Sequence, residues 1–408
     1  MSVFKLLISS RWYLWFSLGY LITGIGTGLT GVAIYANLAK LDASPLDFAI
    51  TFSVSVAPAL LSSELGKYLS RYFKPFSILI AAELAGLFAL ILPFYALITA
   101  SPRVLMLAVA VSSLFIGVGV AAYNMINKRG FTEEDYLQIA TIETISFSAV
   151  AIVGTGIGSL IYPLVQHGVY FFIDAVSYLL AMACLIYSRS ISPQQVVDKI
   201  EEAVEATLRF ASLNGDKKCA LLIMPLLTII SAPAMALLPV KGLAFAEIKW
   251  LGLLIHPVLM LLFARCLGQL IGPLVVNQKI VDYLFGSSLG KSGLGLMFFM
   301  MYLLAFYSTS FTLVFIAVVL AHIASNMLYA VAYTTMLSRF SEQEIGPVSV
   351  LVYQITTLLL AGLALPAGFL ANQYGLFNTL LLCSLPAVLL MFLVFNRIAA
   401  LDKSIVAA

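Results

Sequence analysis

Long apolar runs dominate the chain, and short polar breaks separate them. Each run covers roughly 20 residues, the length that an α-helix needs to cross about 30 Å of hydrocarbon. Glycine, proline and charged residues cluster at the breaks, where helices end. The predicted fold class is therefore an all-α membrane protein with twelve transmembrane helices, near residues 12–39, 46–66, 76–99, 103–126, 137–163, 169–188, 219–239, 250–276, 293–308, 312–337, 347–370 and 377–396.

The longest polar stretch divides these helices into two sets of six. It extends from Arg189 to Lys218 and separates a predicted N-terminal bundle, residues 1–188, from a C-terminal bundle, residues 219–408. The stretch itself, residues 189–218, is predicted to be a cytoplasmic linker.

An amphipathic helix is predicted inside this linker. Ser192 and Pro193 have the order of an N-cap and a first helical residue, and Asn214-Gly215 is typical of a helix end. Such a helix either coordinates the two halves or is a tether that lies on the membrane, and we favour the tether. Its apolar stripe consists of Val197, Ile200, Val204, Leu208 and Ala211.

Composition agrees with a lipid environment and argues against other classes. Hydrophobic residues make up 62% of the 408 positions and charged residues 10%, which is too apolar for a soluble domain. The net charge of +3 is too small to indicate a nucleic-acid partner. We interpret the four cysteines, which lack CxxC spacing, as small core residues. No metal, cofactor or enzymatic activity is expected, because no HExxH, GxSxG or complete phosphate-binding loop occurs.

Basic residues are concentrated on one side of the predicted topology. With a cytoplasmic N-terminus, the outer loops hold only four of the 22 Lys and Arg residues. This asymmetry follows the positive-inside rule and predicts a multi-pass protein of the bacterial inner membrane with both termini in the cytoplasm. The four outer residues are Lys40, Arg103, Lys241 and Lys249.

A short repeat indicates that the two halves are related. The segment YNMINKRGFTEED, from Tyr123 to Asp135, and the segment YTTMLSRFSEQE, from Tyr333 to Glu344, share a helix-ending Tyr, a basic residue, Phe, Ser or Thr, and acids. Parallel repeats of this kind build transporters whose substrate site lies near the midplane between the halves.

Four segments of the N-terminal half carry motifs of a known family. They read GIGTGLT at 24–30, SPL at 44–46, IAAEL at 80–84 and FFIDAVSYL at 171–179. In order and spacing they resemble the macrolide-efflux and enterobactin-exporter branch of the major facilitator superfamily. The resemblance implies two pseudo-symmetric six-helix bundles and proton-coupled export of an amphipathic molecule, such as a siderophore or a drug. We expect a monomer whose partners are a small-molecule substrate, protons and the lipid bilayer.

The same resemblance implies gating elements in the N-terminal half. Gly66 and Arg71 match the superfamily loop after the second helix, where Ser70 replaces the usual Asp. Gly154 and Gly158 have i, i+4 spacing, which lets two helices approach closely. The resemblance makes this face a sliding surface for alternating access, and plain packing is the alternative.

Ionisable side chains inside predicted spans are costly and therefore informative. Glu83, in the third helix, is either a proton-carrying carboxylate or the structural partner of a base. Glu143 is the second candidate for proton coupling, with gate pairing as its alternative. Asp174 belongs to the family motif and is interpreted as structural. Arg265, well inside the eighth helix, either snorkels to the inner surface or balances an anionic substrate or a buried acid.

Two polar rows are candidates for substrate binding. In the superfamily the first and tenth helices line the cavity, so the resemblance implies that both rows face it. The predicted substrate is an organic anion or a polar-aromatic molecule, and hydrogen bonding between helices is the alternative role of the rows. The tenth helix carries His322, Asn326, Tyr329 and Tyr333 on one face, and the first helix carries Tyr20, Thr23, Thr27, Thr30 and Asn37.

Two other functions stay open at this point. Uptake of a ferric siderophore or another organic anion uses the same fold in the opposite direction. A membrane enzyme or a scaffold is disfavoured, because catalytic motifs are missing and the halves are paired.

The topology is directly testable. Reporter fusions at Leu41 and Gly242 should give periplasmic signals, whereas fusions at Gly130 and Gly215 should give cytoplasmic ones, because basic residues are retained on the inner side. Activity of a periplasmic reporter and fluorescence of a cytoplasmic reporter measure this. A reversed signal at any of the four sites would overturn the predicted orientation.

Overall fold

The structure is a computed structural model that describes residues 3–41, 51, 54–55, 57–161, 165, 168–197, 210–246, 248–250, 253–255 and 257–407. Within these residues, ten helices are long and apolar enough to cross a membrane, and a bent helix pair makes an eleventh candidate. A further helix, Ala57–Leu69, stands where the second span is predicted. Most of the first half of that predicted span lies outside the described residues.

The described residues of the first half form ten α-helices. Pro75 and Pro102 occupy the first turns of two of them, where a missing N–H costs nothing. A 3₁₀ turn, Glu133–Asp135, and a π-helical segment, Val150–Ile157, interrupt the series. The helices are α1 (Val3–Ser9), α2 (Arg11–Lys40), α3 (Ala57–Leu69), α4 (Pro75–Ala89), α5 (Ile91–Thr99), α6 (Pro102–Gly130), α7 (Tyr136–Ala149), α8 (Gly158–Ile161), α9 (Val169–Ile191) and α10 (Gln194–Val197).

The described residues of the second half form six α-helices and a small two-stranded hairpin. Gly375 interrupts the last helix with a φ of 76°, a conformation that glycine adopts without strain. It lies near the start of the second of that helix's two candidate spans, Glu342–Ala371 and Gln373–Ala400. The elements are α11 (Gly215–Leu243), β1 (Ile248–Trp250), β2 (Leu253–Ile255), α12 (Pro257–Leu274), α13 (Gln278–Gly286), α14 (Ser288–Tyr307), α15 (Phe311–Arg339) and α16 (Glu342–Ala407).

The predicted start of the eighth span at residue 250 is wrong. Strands β1 and β2 pair antiparallel there, with Ile248 opposite Ile255, and the helix begins only at Pro257. A short apolar run fits a strand as well as a helix, so the pattern alone could not separate them. After Pro273 the chain bends by 98° into α13, whose N-cap Asn277 accepts a hydrogen bond from the Ile280 amide at 3.1 Å.

The predicted linker helix is described only at its start. Helix α10 covers Gln194–Val197, and residues 198–209, with most of the apolar stripe, lie outside the described residues. Asn214 does not end that helix but begins α11, because its side chain accepts a hydrogen bond from the Lys217 amide at 2.9 Å. Asn is a favoured N-cap, and this role outweighs the Asn-Gly stop signal here.

Both copies of the sequence repeat lie near helix ends, but the predicted helix-ending role of Tyr123 and Tyr333 is wrong, because both helices continue beyond the tyrosine. In each copy a basic residue lies at the end of a long helix. Helix α6 ends at Gly130, directly after Arg129, and helix α15 ends at Arg339. Phe131 and Phe340 then adopt extended backbone conformations before the next helix begins.

The helices fall into two compact units. Unit 1 comprises Met1–Thr207 together with Ser341–Thr357, and unit 2 comprises Leu208–Phe340 together with Leu358–Ala408. The first part of α16 therefore packs with unit 1. The Gln354 amide, for example, donates to the Leu60 carbonyl at 3.0 Å and to the Glu64 carboxylate at 3.2 Å.

Glycines of α2 allow close packing inside unit 1. A Cβ at Gly26 would lie 2.5 Å from Oδ1 of Asp174 on α9, and a Cβ at Gly28 would lie 3.0 Å from the Cα of Gly154 in the π-helical segment. A Cβ at Gly158 would lie 2.7 Å from Cδ2 of a leucine on α2. The predicted close helix approach at Gly154 and Gly158 is thus confirmed, and a sliding role stays a prediction.

Unit 2 uses the same device between α12 and α15. A Cβ at Gly268 would lie 2.6 Å from the Cβ of His322, and a Cβ at Gly272 would lie 2.9 Å from the Cβ of Asn326. Elsewhere, the Lys241 ammonium of α11 donates to the Ser308 carbonyl at 2.7 Å and so satisfies the end of α14. The core of unit 2 is formed by side chains of α11, α12, α14, α15 and α16.

One packing contact can be tested with a matched pair of glycines. A Cβ at Gly66 of α3 would overlap the Val118 carbonyl of α6, whereas a Cβ at Gly31 of α2 would meet nothing within 4 Å. Gly66→Ala should destabilise the protein by about 1–3 kcal/mol, because the two helices must separate. Gly31→Ala should be neutral or stabilising by up to about 1 kcal/mol, because alanine favours helix. Thermal unfolding of the two detergent-purified variants measures this, and equal midpoints would contradict the packing.

Candidate functional site

Unit 1 holds a partly buried carboxylate on α4, that of Glu83, which is hydrogen-bonded to α2. The Thr23 hydroxyl donates to Oε2 of Glu83 at 2.8 Å. One turn further along α2, the Thr27 side chain interacts with the Tyr178 hydroxyl of α9. Both threonines, predicted as substrate contacts, therefore engage neighbouring helices of their own unit.

A second carboxylate, Asp174, lies on α9 beside the same helix. Its side chain is 1% exposed, and Oδ1 accepts a hydrogen bond from the Ser177 hydroxyl at 3.1 Å. Gly26 brings the α2 backbone against this carboxylate, and Thr30 of α2 lies close to it. The sequence analysis interpreted Asp174 as structural. It did not anticipate that Asp174 and Glu83 approach the same threonine-bearing face of α2.

Glu143 lies apart from these acids, among tyrosines. Its carboxylate is within electrostatic range of the hydroxyls of Tyr13, Tyr20 and Tyr123. The ring of Tyr20 is 44% exposed and lies 5.1 Å from that of Tyr123. Tyr20 is thus the most accessible member of the predicted row on α2.

The predicted gating residues lie at the end of α3. Gly66 packs on the backbone of α6, and the Ser70 hydroxyl donates to the Gly66 carbonyl at 2.7 Å. Arg71 follows in a tight turn, where its own backbone amide donates to the Tyr68 carbonyl at 3.1 Å. Their gating role stays a prediction.

Unit 2 buries His322 in a polar contact between α15 and α14. Nε2 of His322 lies 2.7 Å from the Tyr302 hydroxyl, and the imidazole is 1% exposed. The Phe298 ring meets the imidazole edge-on at 5.6 Å. The other ring nitrogen, Nδ1, makes no hydrogen bond within the part of the chain that the structure describes.

Arg265 of α12 lies next to this pair. Its guanidinium is within electrostatic range of the Tyr302 hydroxyl and the His322 ring. Among the described residues it has no acid partner, and its buried Nε makes no hydrogen bond. Oε1 of Gln269, one turn later on α12, is also buried without a partner there. Three side chains therefore present unsatisfied polar atoms in one region of unit 2.

The rest of the predicted stripe continues along α15. The Asn326 amide donates to the His322 carbonyl at 3.0 Å and to the Ser325 hydroxyl at 3.2 Å. The Tyr329 and Tyr333 rings stack in parallel with centroids 6.4 Å apart. Tyr329 is partly exposed and Tyr333 is buried.

Several residues of these clusters escaped the sequence analysis. Gly268 and Gly272 carry the i, i+4 spacing that was recognised at Gly154 and Gly158, so a signal existed for them. Tyr302 gave none, because its partner His322 belongs to another helix. Gln269 gave none, because nothing in the sequence around it indicates which helix it faces. Tyr178 stood inside the quoted family motif without an assigned role.

Solved structures with the same architecture identify the fold. The chain superposes on the E. coli fucose:proton symporter with a TM-score of 0.69 at 13% identity, over 95% of this chain and 98% of that one. A bacterial homologue of the iron transporter ferroportin, in its outward-facing state with soaked iron, gives 0.70 at 16% identity, over 95% and 98%. The human organic anion transporter TETRAN gives 0.68 at 11% identity, over 94% and 99%.

The chain has the major facilitator fold. A transporter of that superfamily is among the matching structures, and the predicted fold class is confirmed. Neither protein-family models nor curated protein sequences match the chain. Membership of the macrolide-efflux and enterobactin-exporter branch stays a prediction. Unit 1 carries the acids Glu83, Glu143 and Asp174, and unit 2 carries Arg265.

The contact between His322 and Tyr302 can be tested without a substrate. Tyr302→Phe removes one buried hydrogen bond and should destabilise the protein by about 0.5–2 kcal/mol, within the range measured between membrane helices. Tyr307→Phe, in the same helix, is the control, because Tyr307 is 76% exposed. Thermal unfolding in detergent compares the two variants. Equal stability of both would argue against a formed Tyr302–His322 bond.

Proposed function

We propose that the chain is a proton-coupled secondary active transporter of an organic anion. The sequence resemblance favours export of an amphipathic anion, such as a siderophore, from the cytoplasm, and uptake of a ferric siderophore or a similar anion is the alternative. The proposed location is the bacterial inner membrane, with both termini in the cytoplasm and a monomeric protein.

The observation that carries the substrate class is the Arg265 guanidinium, which forms no ion pair with an acid among the described residues. A guanidinium keeps its charge under all physiological conditions, so it cannot be neutralised by losing a proton. A fixed charge within a membrane helix is costly, and such residues mark substrate or ion pathways by default. The described residues offer Arg265 no acid, which leaves an anionic ligand as the charge that would balance it.

The neighbours of Arg265 suit an oxygen-rich ligand. The Gln269 amide presents either its oxygen or its NH₂ group after a rotation, and Nδ1 of His322 donates in one tautomer. The partly exposed Tyr329 adds an aromatic surface further along α15. Carboxylate or catecholate oxygens would satisfy the atoms that the protein leaves unbonded, and Asn326 and Tyr333 complete the proposed contact set.

Comparison with solved proteins is compatible with this substrate class. One protein of the same fold, TETRAN, is an organic anion transporter, and another is a fucose:proton symporter. At 11–13% identity these likenesses support the fold and not the cargo, so the proposal depends on Arg265.

Proton coupling is assigned to unit 1. Glu83 lies eight residues after the start of α4 and is bonded to a neutral hydroxyl rather than to a base. A carboxylate in such surroundings binds and releases a proton without breaking an ion pair. Glu83 is therefore the first candidate for the proton carrier, and Glu143 is the second.

The anion proposal is tested by dye binding to purified protein in nanodiscs. Arg265→Gln should weaken binding of fluorescein, a dianion, by about tenfold or more, because a charged hydrogen-bonding group is lost. Binding of the neutral dye Nile red should change little, and Arg265→Lys should retain part of the fluorescein affinity. Arg103→Gln removes an exposed arginine and serves as the control.

Two results would contradict the proposal. One is unchanged fluorescein affinity in Arg265→Gln. The other is tighter binding of the cation ethidium than of fluorescein by the unmodified protein, which would favour the drug-efflux interpretation.

A further inference from the structure

We propose that Asp174 is a second proton-binding group, joined to Glu83 through a row of hydroxyls on α2. This inference rests on the proposed proton coupling and extends it from one carboxylate to a relay. It also gives the threonines of α2 a role other than substrate contact.

The hydroxyl row has the spacing that such a relay requires. Thr23, Thr27 and Thr30 stand at i, i+4 and i+7, so they share one face of α2 and cover about 10 Å along its axis. Thr23 bonds Glu83 at one end of the row. Thr30 lies beside Asp174 at the other end.

Tyr178 fills the middle of the row. It lies one turn after Asp174 on α9, and its hydroxyl interacts with Thr27. Its ring packs on α4 at Gly86, where a Cβ would lie 2.5 Å from Cε1 of the ring. Gly86 is three residues after Glu83, so the same tyrosine spans the space between the helices that carry the two acids.

Unsatisfied atoms mark the Asp174 end as a place for a proton. Oδ2 of Asp174 and Oγ1 of Thr30 are both buried, and neither atom has a partner of good hydrogen-bond geometry among the described residues, although the Thr30 hydroxyl lies close enough to interact with the Asp174 carboxylate. An ionised, unpaired carboxylate oxygen is costly in a membrane interior. A proton on Oδ2 removes the charge and supplies a donor for the hydroxyl oxygen of Thr30.

The charges around the relay favour a single proton shared between Glu83 and Asp174. The titratable groups that face it are Glu83 on α4, Asp174 and Tyr178 on α9, and Tyr20 on α2. Neither acid has a basic partner within the part of the chain that the structure describes. Two like charges within electrostatic range of each other oppose simultaneous ionisation, so a shared proton is the arrangement of lower energy.

Transfer along the row conserves atoms and charge. One proton leaves Oδ2 of Asp174, each hydroxyl accepts one proton and gives up another, and one proton arrives on Glu83. Asp174 is left as the carboxylate and regains a proton from water. With the proposed topology, Asp174 lies about 8 Å from the outer end of α9, and Glu83 lies about 12 Å from the inner end of α4. Asp174 is then the outer member of the relay.

Carbodiimide labelling tests the relay without a known substrate. Dicyclohexylcarbodiimide modifies protonated carboxyl groups in apolar surroundings, and peptide mass spectrometry locates the product. In the full-length protein in proteoliposomes, Glu83 and Asp174 should both be modified, less so as the pH rises. Glu64, which is exposed and paired with Lys67, is the internal control and should stay unmodified.

Coupling between the acids is measured in variants. Asp174→Asn should change the ratio of Glu83 labelling at about pH 6 to that at about pH 8 by about threefold or more, because a neighbouring charge is lost. Asp174→Glu should restore most of the original ratio, and Glu64→Gln should leave it unchanged. Thr27→Val, which keeps the side-chain shape, should slow proton release into the liposome lumen, as followed with an enclosed pH-sensitive dye.

Three outcomes would overturn the relay. They are an unmodified Asp174 at every pH, a Glu83 profile that Asp174→Asn leaves unchanged, and protection of both acids by Na⁺ at constant pH, which would indicate a metal-cation site. The labelling is independent of the fluorescein assay, so failure of the anion proposal and failure of the relay are distinguishable.

Discussion

The lack of water inside a bilayer governs the polar groups of this protein. Each buried donor or acceptor must find its partner within the helices or else raise the energy of the folded state. Most hydroxyls meet this requirement locally, as Thr141 and Thr144 do by donating to carbonyls one turn earlier. The few groups that do not, above all Arg265 and Asp174, stand out because the same constraint is met elsewhere.

Glycine connects this constraint to helix packing. Gly26 lets the α2 backbone approach Asp174, and Gly268 lets α12 approach the Cβ of His322. A methyl group at either position would push a polar side chain away from the helix that it faces. The close-packed surfaces and the candidate chemical sites are therefore the same surfaces, so a substitution that loosens the packing also alters the polar contacts.

The sequence predicts most of the helices and the positions of the polar residues, but not their partners. Apolar runs and terminal prolines locate spans such as Pro102–Gly130 well, because both signals act within one helix. The contact between Tyr302 and His322, which are 20 positions apart, depends on the relative rotation of α14 and α15, and no local pattern encodes that rotation. Thr23 and Thr27 are a second example. The sequence places both on one face of α2, but it does not identify α4 and α9 as the helices that cover that face.

The two units share a repeat but differ in their chemistry. Their helix ends carry similar short sequences, whereas Glu83 and Asp174 belong to unit 1 and Arg265, which has no acid partner among the described residues, belongs to unit 2. On the proposed function, a proton neutralises the acids of one unit and an anion neutralises the base of the other. The electrostatic energy of each unit is then lowest when its ligand is bound, a proton in unit 1 and an anion in unit 2. This rule applies equally to export and to uptake, so the direction of net transport would follow from the gradients and not from the fold.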